Sequence, residues 1–398
     1  MTETRTPAMG RALDPVAADL IGRARELAPI FAERAQRTED QRAPLDETVR
    51  DLIDSGVLAT LTPKAYGGYE LSIHDMTEIV RIFSAACPST GWVASFYMGA
   101  AWRANLFGAK VQREIFADKP YDLGAGQAAP LREARRVSGG YVVSGQTPWS
   151  SGSMHAEWIM FMGVVIDDGV PAPTLFMVPR EETEVVDTWY ITGMRGTGSN
   201  DIRVEEVFVP QYRSASFADA LTGTAEGQLL HPNPMYHLPF VPFTMCEVVP
   251  VVVGALRGAV ESFSLRTAQR QGTLSLEKAA GKQAAQIRLG RALASADAAE
   301  TLLQAYIDRL LIRRPGYTEP ADRAEMKLKG AYISNLCRDA MNEIARGIGG
   351  DGFRDDSPLQ RFFRDINVMS VHAFLDLDNA SENIGRNTLG LPLEDRVI

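Results

Sequence analysis

Apolar residues recur at helical spacing through the first part of the chain. In residues 14–41 they return every three or four positions among many charged residues, which predicts an amphipathic helix. A proline and glycine loop, PKAYGG (63–68), interrupts the pattern, and residues 74–107 then predict two further helices. We therefore expect an N-terminal helical domain over residues 1–119.

The pattern changes after residue 119. Short runs of β-branched and aromatic residues alternate with turn residues, as in GYVVSG (140–145) and EWIMFMGVVI (157–166). No helical segment separates these runs, which excludes a βαβ nucleotide-binding unit in this region. Residues 120–213 therefore predict a central all-β domain.

Long, alanine-rich amphipathic segments return after a loop at residues 213–243. They fill residues 244–346 and are typical of a helical bundle, so we expect a C-terminal helical domain over residues 214–398. The most apolar run, VVPVVVGAL (248–256), is too short to span a bilayer. A cleft where the three domains meet is the expected cofactor site.

Composition narrows the classes of function. The chain has 398 residues and a net charge of −9, which argues against nucleic acid as the main partner. Three well-separated cysteines suit a reducing compartment, and the first residues lack the apolar core of a signal peptide. The five histidines show no metal-ligand spacing, so no metal site is predicted. We expect a soluble, cytoplasmic protein that binds neither nucleic acid nor a membrane.

Two glycine- or serine-rich segments are candidates for chemistry. GIGGDGF (347–353) follows a helix and not a strand, so it is a glycine cap and turn or a place where free backbone N–H groups meet a phosphate. WSSGS (149–153) closes a predicted strand. Its hydroxyls either shape the turn, or Ser150 or Ser151 bonds a flat cofactor beside Trp149.

A single histidine, His372, lies in an apolar run near the end of the chain. A histidine on an apolar helix is either a core residue with satisfied hydrogen bonds or a catalyst. Its place just after the glycine turn, where the domains are expected to meet, favours the catalytic interpretation.

Together these segments resemble the acyl-CoA dehydrogenase fold. The similar features are the PKAYGG loop, the stretch from Gly140 to Gly152, the GMRG loop (193–196) and the glycine turn after the bundle. In acyl-CoA dehydrogenases the catalytic glutamate sits one place after His372, where this chain has Ala373. The resemblance implies an α+β fold with an N-terminal helical domain, a central β-barrel domain and a C-terminal four-helix bundle.

The details are most similar to the two-component flavin-dependent monooxygenases of this fold (group D), such as the 4-hydroxyphenylacetate, 3-hydroxy-steroid-ring and indole hydroxylases. They share PSTGWV (88–93), the W-S-S-G turn, MRGTGSN (194–200) and the histidine at position 372. The resemblance implies hydroxylation of an electron-rich phenol, indole or polycyclic natural product through a flavin C4a-hydroperoxide. A separate NAD(P)H:flavin reductase supplies reduced FAD, with FMN as the alternative, and molecular oxygen is the co-substrate.

The same resemblance assigns the site. His372 and Ser151 are the catalytic residues, and the pKa of His372 is expected to suit proton transfer near neutrality. Trp92, Phe96 and His372 contact the substrate. The cofactor-binding residues are Gln127, Trp149, Ser150, Ser151, Arg270, Gly349 and Gly350.

Two further properties follow from the resemblance. Many relatives place a histidine within the segment FYMGAAW (96–102); its absence here predicts a more apolar pocket and a bulkier substrate. Related bundles bury an apolar face against a neighbouring copy, so we expect a homotetramer, with a dimer as the alternative.

Other functions on this scaffold remain open at this stage. They are acyl-CoA dehydrogenase-type oxidation, N-hydroxylation of an amino sugar, and a non-catalytic helical assembly. The identity of the aromatic substrate, the reductase, and the choice between FAD and FMN are also open.

Overall fold

The structure is a computed structural model that describes residues 14–167, 169–271, 278–312 and 317–394. Five helices form the N-terminal part: α1 (Pro15–Gln41), α2 (Asp46–Asp54), α3 (Ile73–Ala86), α4 (Pro88–Ala104) and α5 (Ala109–Ile115). Helix α4 is buried along its length except at Phe96, which is partly exposed. An apolar helix that is covered on all sides is a core element, so α4 is the centre of this part.

The central part is one mixed seven-stranded sheet. Its strands are β1 (Gly124–Val137), β2 (Gly140–Ser150), β3 (Trp158–Asp167), β4 (Val170–Pro179), β5 (Glu184–Val186), β6 (Asn200–Pro210) and β7 (Ser214–Ser216). The strand order is β5-β6-β2-β1-β3-β4-β7; β1 and β3 are parallel, and the remaining pairs are antiparallel. The predicted barrel domain is a sheet with β5 and β7 at its edges in the described residues, and its buried core includes Tyr141, Phe161 and Phe176.

The C-terminal part is helical, as predicted. It contains α6 (Phe217–Thr222), α7 (Phe240–Gln269), α8 (Gln283–Leu311), α9 (Pro320–Ile348), α10 (Pro358–Met369) and α11 (Leu377–Thr388). Helix α7 packs against α3, α4, α8, α9 and α10 and is the central helix of the bundle. The two helical parts therefore form one continuous packed unit.

Glycines let α3 and α7 approach to backbone contact. A Cβ at Gly254 would lie 2.4 Å from the carbonyl oxygen of Arg81, and one at Gly258 would lie 2.1 Å from that of Ala85. Helix α7 extends beyond the most apolar run of the sequence. Among the described residues, it is the one helix that is long and apolar enough, by length and composition alone, to cross a membrane. However, 94% of its most apolar window is buried inside the protein. It is thus a core helix.

His372 does not lie within a helix, contrary to the sequence-based expectation. It follows α10 and caps a short 3₁₀ turn, Ala373–Leu375, that precedes α11. Helix α10 has already ended at Met369, and His372 takes the extended conformation of an N-cap residue, with φ −60° and ψ 141°.

Candidate active site

The WSSGS turn is fastened to α4. Trp149 has a positive φ of 66° and its side chain is 63% exposed, so it projects from the end of β2. Gly152 also has a positive φ, 71°, and its carbonyl oxygen accepts a 2.7 Å hydrogen bond from the hydroxyl of Tyr97. A Cβ on Gly152 would lie 2.7 Å from that hydroxyl oxygen, so only glycine permits this contact.

Trp92 joins the turn to the C-terminal segment. Its indole Nε1–H donates a 3.0 Å hydrogen bond to Ser151 Oγ. Its ring also meets the edge of the His372 imidazole, with 5.6 Å between ring centroids, and the Phe96 ring at 5.3 Å. Three distant segments thus bring together the residues expected to be catalytic and those expected to contact substrate.

The imidazole of His372 is held by the backbone that follows it. Its Nδ1 accepts a 3.3 Å hydrogen bond from the N–H of Phe374, so Nδ1 carries a lone pair and the neutral ring has its proton on Nε2. Burial lowers the pKa of His372 to about 4. The expected pKa near neutrality is therefore wrong: packing around the ring disfavours the imidazolium, and the ring is neutral at pH 7.

The MRGTGSN loop contributes two residues that the sequence analysis missed. Ser199 Oγ lies 2.7 Å from Ser151 Oγ, and Thr197 Oγ1 lies 2.7 Å from Ser199 Oγ. The loop is anchored to α10, because the N–H of Met194 donates a 2.5 Å hydrogen bond to the buried carboxylate of Asp365. In the sequence, the glycines of this loop were the one feature to suggest a role beyond reversing the chain direction.

A buried charged cluster lies beneath Phe96 and was also missed. Arg103 forms an ion pair with Glu247 of α7 and donates a 2.7 Å hydrogen bond to the carbonyl oxygen of Phe96. Burial raises the pKa of Asp122 to about 7, although Arg103 opposes the rise. Among the described residues, Asp122 Oδ1 has no hydrogen-bond partner. The cluster supports the wall of the site that carries Phe96.

Arg270, Gly349 and Gly350 form a second group at one end of the bundle. The guanidinium of Arg270 donates a 3.0 Å hydrogen bond to the carbonyl oxygen of Ile348 and packs on Gly349, where a Cβ would lie 2.3 Å from it. A Cβ at Gly350 would meet no described atom within 4 Å. Arg270 and the glycine turn thus lie next to each other. Gln127 lies on β1, but its side chain is outside the described part.

Comparisons with known proteins identify the family of this chain. Family models described as acyl-CoA dehydrogenase N-terminal and C-terminal domains match residues 23–119 and 247–377. The chain is 64% identical, over 97% of its length and 100% of the relative's, to a pigment production hydroxylase of Rhodococcus sp. (strain ATCC 21145). It is 32% identical, over 94% of its length and 95% of the relative's, to HsaA of Mycobacterium tuberculosis, the oxygenase subunit of a flavin-dependent monooxygenase.

The chain belongs to the flavin-dependent monooxygenases of the acyl-CoA dehydrogenase fold. A solved structure, that of XiaF from Streptomyces sp. in complex with FADH₂ and glycerol, superposes with a TM-score of 0.86 at 28% identity. The superposition covers 96% of this enzyme and 98% of that chain. The fold expected from sequence is therefore confirmed, and the enzyme class with it.

The residues of the site fit a flavin. Ser151 is partly exposed, and its oxygen accepts from Trp92 with one of two lone pairs, so that it retains acceptor capacity for a ligand. The buried hydroxyl of Ser150 has no hydrogen-bond partner within the described residues. A buried polar atom without a partner is costly, which favours a ligand that completes it.

Proposed function

We propose that this enzyme hydroxylates a bulky, electron-rich aromatic compound that carries an ionisable O–H or N–H, a phenol or an indole. Ser151 and His372 both contact Trp92, and this single arrangement carries the proposal. Ser151 serves the flavin and His372 serves the substrate. Trp92 and Phe96 supply the apolar wall against which the aromatic ring packs.

Reduced flavin, when bound, activates molecular oxygen for transfer to the ring. Trp149, Ser150, Ser151 and Gln127 hold the flavin ring in this proposal, and Arg270 with the turn at Gly349 and Gly350 holds a phosphate of FAD. An arginine beside a glycine turn is suited to a phosphate.

Neutral His372 acts on the substrate oxygen. Because Nδ1 is engaged by Phe374, the free Nε2–H is a donor, and it stabilises the substrate oxyanion that remains once the phenol has released its proton to water. Ionisation of a phenol raises the electron density of its ring, and this promotes attack on an electrophilic oxygen. Ala373 presents no carboxylate, so the chain lacks at that place the base that removes a proton from an acyl thioester.

The partners follow from the reaction. The relatives described as oxygenase subunits imply a separate reductase, which in this proposal oxidises NAD(P)H in the cytoplasm. A homotetramer is supported by apolar side chains that the single chain leaves exposed on the bundle. They include Leu265 at 65%, Ile287 at 45% and Tyr332 at 55% exposure.

The test is oxygen consumption with chemically reduced FAD and a panel of compounds. We expect hydroxylated product from phenols and indoles, and none from matched electron-poor aromatics such as benzoate. A flavin that an acyl-CoA reduces in the absence of oxygen, with no product from any aromatic, would overturn the proposal.

A further inference from the structure

Four side chains form a continuous line of hydrogen bonds that ends on a backbone carbonyl. Trp92 Nε1 lies 3.0 Å from Ser151 Oγ, and Ser151 Oγ lies 2.7 Å from Ser199 Oγ. Ser199 Oγ lies 2.7 Å from Thr197 Oγ1, which lies 2.8 Å from the carbonyl oxygen of Met194. All these distances are those of well-formed hydrogen bonds.

The two ends determine the direction of every bond in the line. A carbonyl oxygen only accepts, so the single hydroxyl proton of Thr197 is directed to Met194. Ser199 must then donate to Thr197, and Ser151 must in turn donate to Ser199. At the other end the indole N–H only donates, which is compatible with Ser151 as its acceptor. Ser151 thus keeps a lone pair for a ligand but no proton.

The line is protected from water. Ser199 is 3% exposed and Thr197 is 1% exposed, so water does not compete for their hydroxyl protons. The Met194 carbonyl that ends the line is held in place, because it also accepts a 3.0 Å hydrogen bond from the indole of Trp189. A hydroxyl directed by buried partners keeps its orientation better than one in contact with solvent.

We infer that this line commits the proton of Ser151 to Ser199, so that Ser151 can only accept a hydrogen bond from the flavin. In this way the line selects the reduced flavin over the oxidised one. The inference rests on the proposed position of Ser151 at flavin N5. Reduced flavin carries a hydrogen on N5 and donates it, whereas oxidised flavin presents a lone pair there. An acceptor facing that lone pair gains no hydrogen bond and is repelled. Ser199 and Thr197 are therefore positioning residues that set the preference for one redox state.

The inference is tested by flavin binding in the absence of oxygen, without turnover. The full-length protein is titrated with oxidised FAD and with reduced FAD. The dissociation constant of oxidised FAD is divided by that of reduced FAD, and this ratio is compared between variants. Ser199→Ala frees the proton of Ser151, which then donates to N5 of oxidised FAD. We expect the ratio to fall about tenfold, chiefly through tighter binding of oxidised FAD. A tenfold change corresponds to a midpoint potential of bound flavin lowered by about 30 mV.

Matched variants distinguish a change in the direction of the Ser151 hydrogen bond from a general disturbance of the fold. Ser199→Thr keeps the hydroxyl and is expected to keep the wild-type ratio. Ser153→Ala removes another buried hydroxyl of the same turn, one with no partner among the described residues, and is expected to leave the ratio unchanged. If Ser199→Ala does not fold, Thr197→Val breaks the line one step further on with little change in shape. We expect the same fall in the ratio.

The outcomes are distinguishable. A fall in the ratio with Ser199→Ala or Thr197→Val, but not with Ser153→Ala, supports the inference. An unchanged ratio in both variants, together with a changed ratio in Ser151→Ala, overturns the selection by the line and leaves Ser151 at the flavin. If Ser151→Ala also binds both forms of FAD as the wild type does, the proposed role of Ser151 fails as well.

Discussion

Replacing His372 separates its two predicted contributions, to stability and to hydroxylation. His372→Ala removes both the cap on the 3₁₀ turn and the Nε2–H donor. His372→Asn keeps a cap, because an asparagine oxygen also accepts from the N–H of Phe374, but it does not place a donor where Nε2 lies. The loss of the cap costs about 1 kcal/mol, so we expect the alanine variant alone to be destabilised by that amount at pH 7.5.

The pH dependence of stability follows from the lowered pKa. Below pH 6.5 the unfolded chain protonates its histidine, while the folded protein keeps His372 neutral until about pH 4. Stability from this group is therefore complete above pH 6.5 and is lost as the pH falls towards 4. The whole difference corresponds to about 3 kcal/mol. His372→Asn has no titrating group at this position. On acidification, the wild type should therefore lose more stability than His372→Asn, by an amount that approaches 3 kcal/mol, about the full effect of the pKa shift.

Two assays check these expectations. Urea denaturation of the flavin-free proteins between pH 7.5 and 4.5 gives the stability difference. Product formed per oxygen consumed, with reduced FAD and a phenol, gives the hydroxylation yield. Both variants are expected to lose at least about tenfold in yield, which is within the range for proton-handling groups. The loss should be greatest for substrates with an ionisable O–H or N–H.

Asp376→Ala is the matched control for capping. Asp376 caps α11 four residues further on, through a 3.0 Å hydrogen bond from the N–H of Asn379. Its loss should cost similar stability without affecting the yield. If His372→Ala hydroxylates as well as Asp376→Ala, then His372 is a cap and the catalytic role is refuted. A wild-type rate that titrates near pH 6.5, and no longer does so in His372→Asn, would refute the lowered pKa.

Three further predictions concern the cofactor, the buried cluster and the assembly. Ser151→Ala should release more of the consumed oxygen as hydrogen peroxide, since a lost bond to a buried partner costs about 1–3 kcal/mol; unchanged coupling of oxygen to product would make Ser151 a turn residue only. The stability of Asp122→Asn relative to the wild type should rise by about 3 kcal/mol between pH 5 and pH 8. In this range the unfolded wild type has ionised Asp122, whereas the folded wild type keeps the buried carboxyl protonated until the pH reaches its pKa of about 7. A urea-denaturation difference that does not vary with pH would contradict this. Light scattering at micromolar concentration should report a tetramer, and a monomer would contradict the proposed assembly.

Sequence alone determined the succession of helical and β segments. The periodicity of apolar residues reflects which face of a helix or strand is buried, and it can be read from a short stretch of sequence. For this reason α1, α3, α4 and the strands were predictable. The pattern of WSSGS and MRGTGSN likewise identified the family, because such turns need particular small residues at particular places. The same local information predicted a helix around His372, where the chain instead makes a capped turn.

Only the tertiary structure decided the chemistry of the site. The pKa of His372 depends on the atoms packed around it, and these come from α4 and the C-terminal turn. The cluster of Arg103, Asp122 and Glu247 joins residues far apart in sequence. The orientation of the Ser151 hydroxyl depends on Ser199 and on the bonds beyond it. Burial and hydrogen-bond direction are properties of several segments at once, and no local pattern in the chain encodes them.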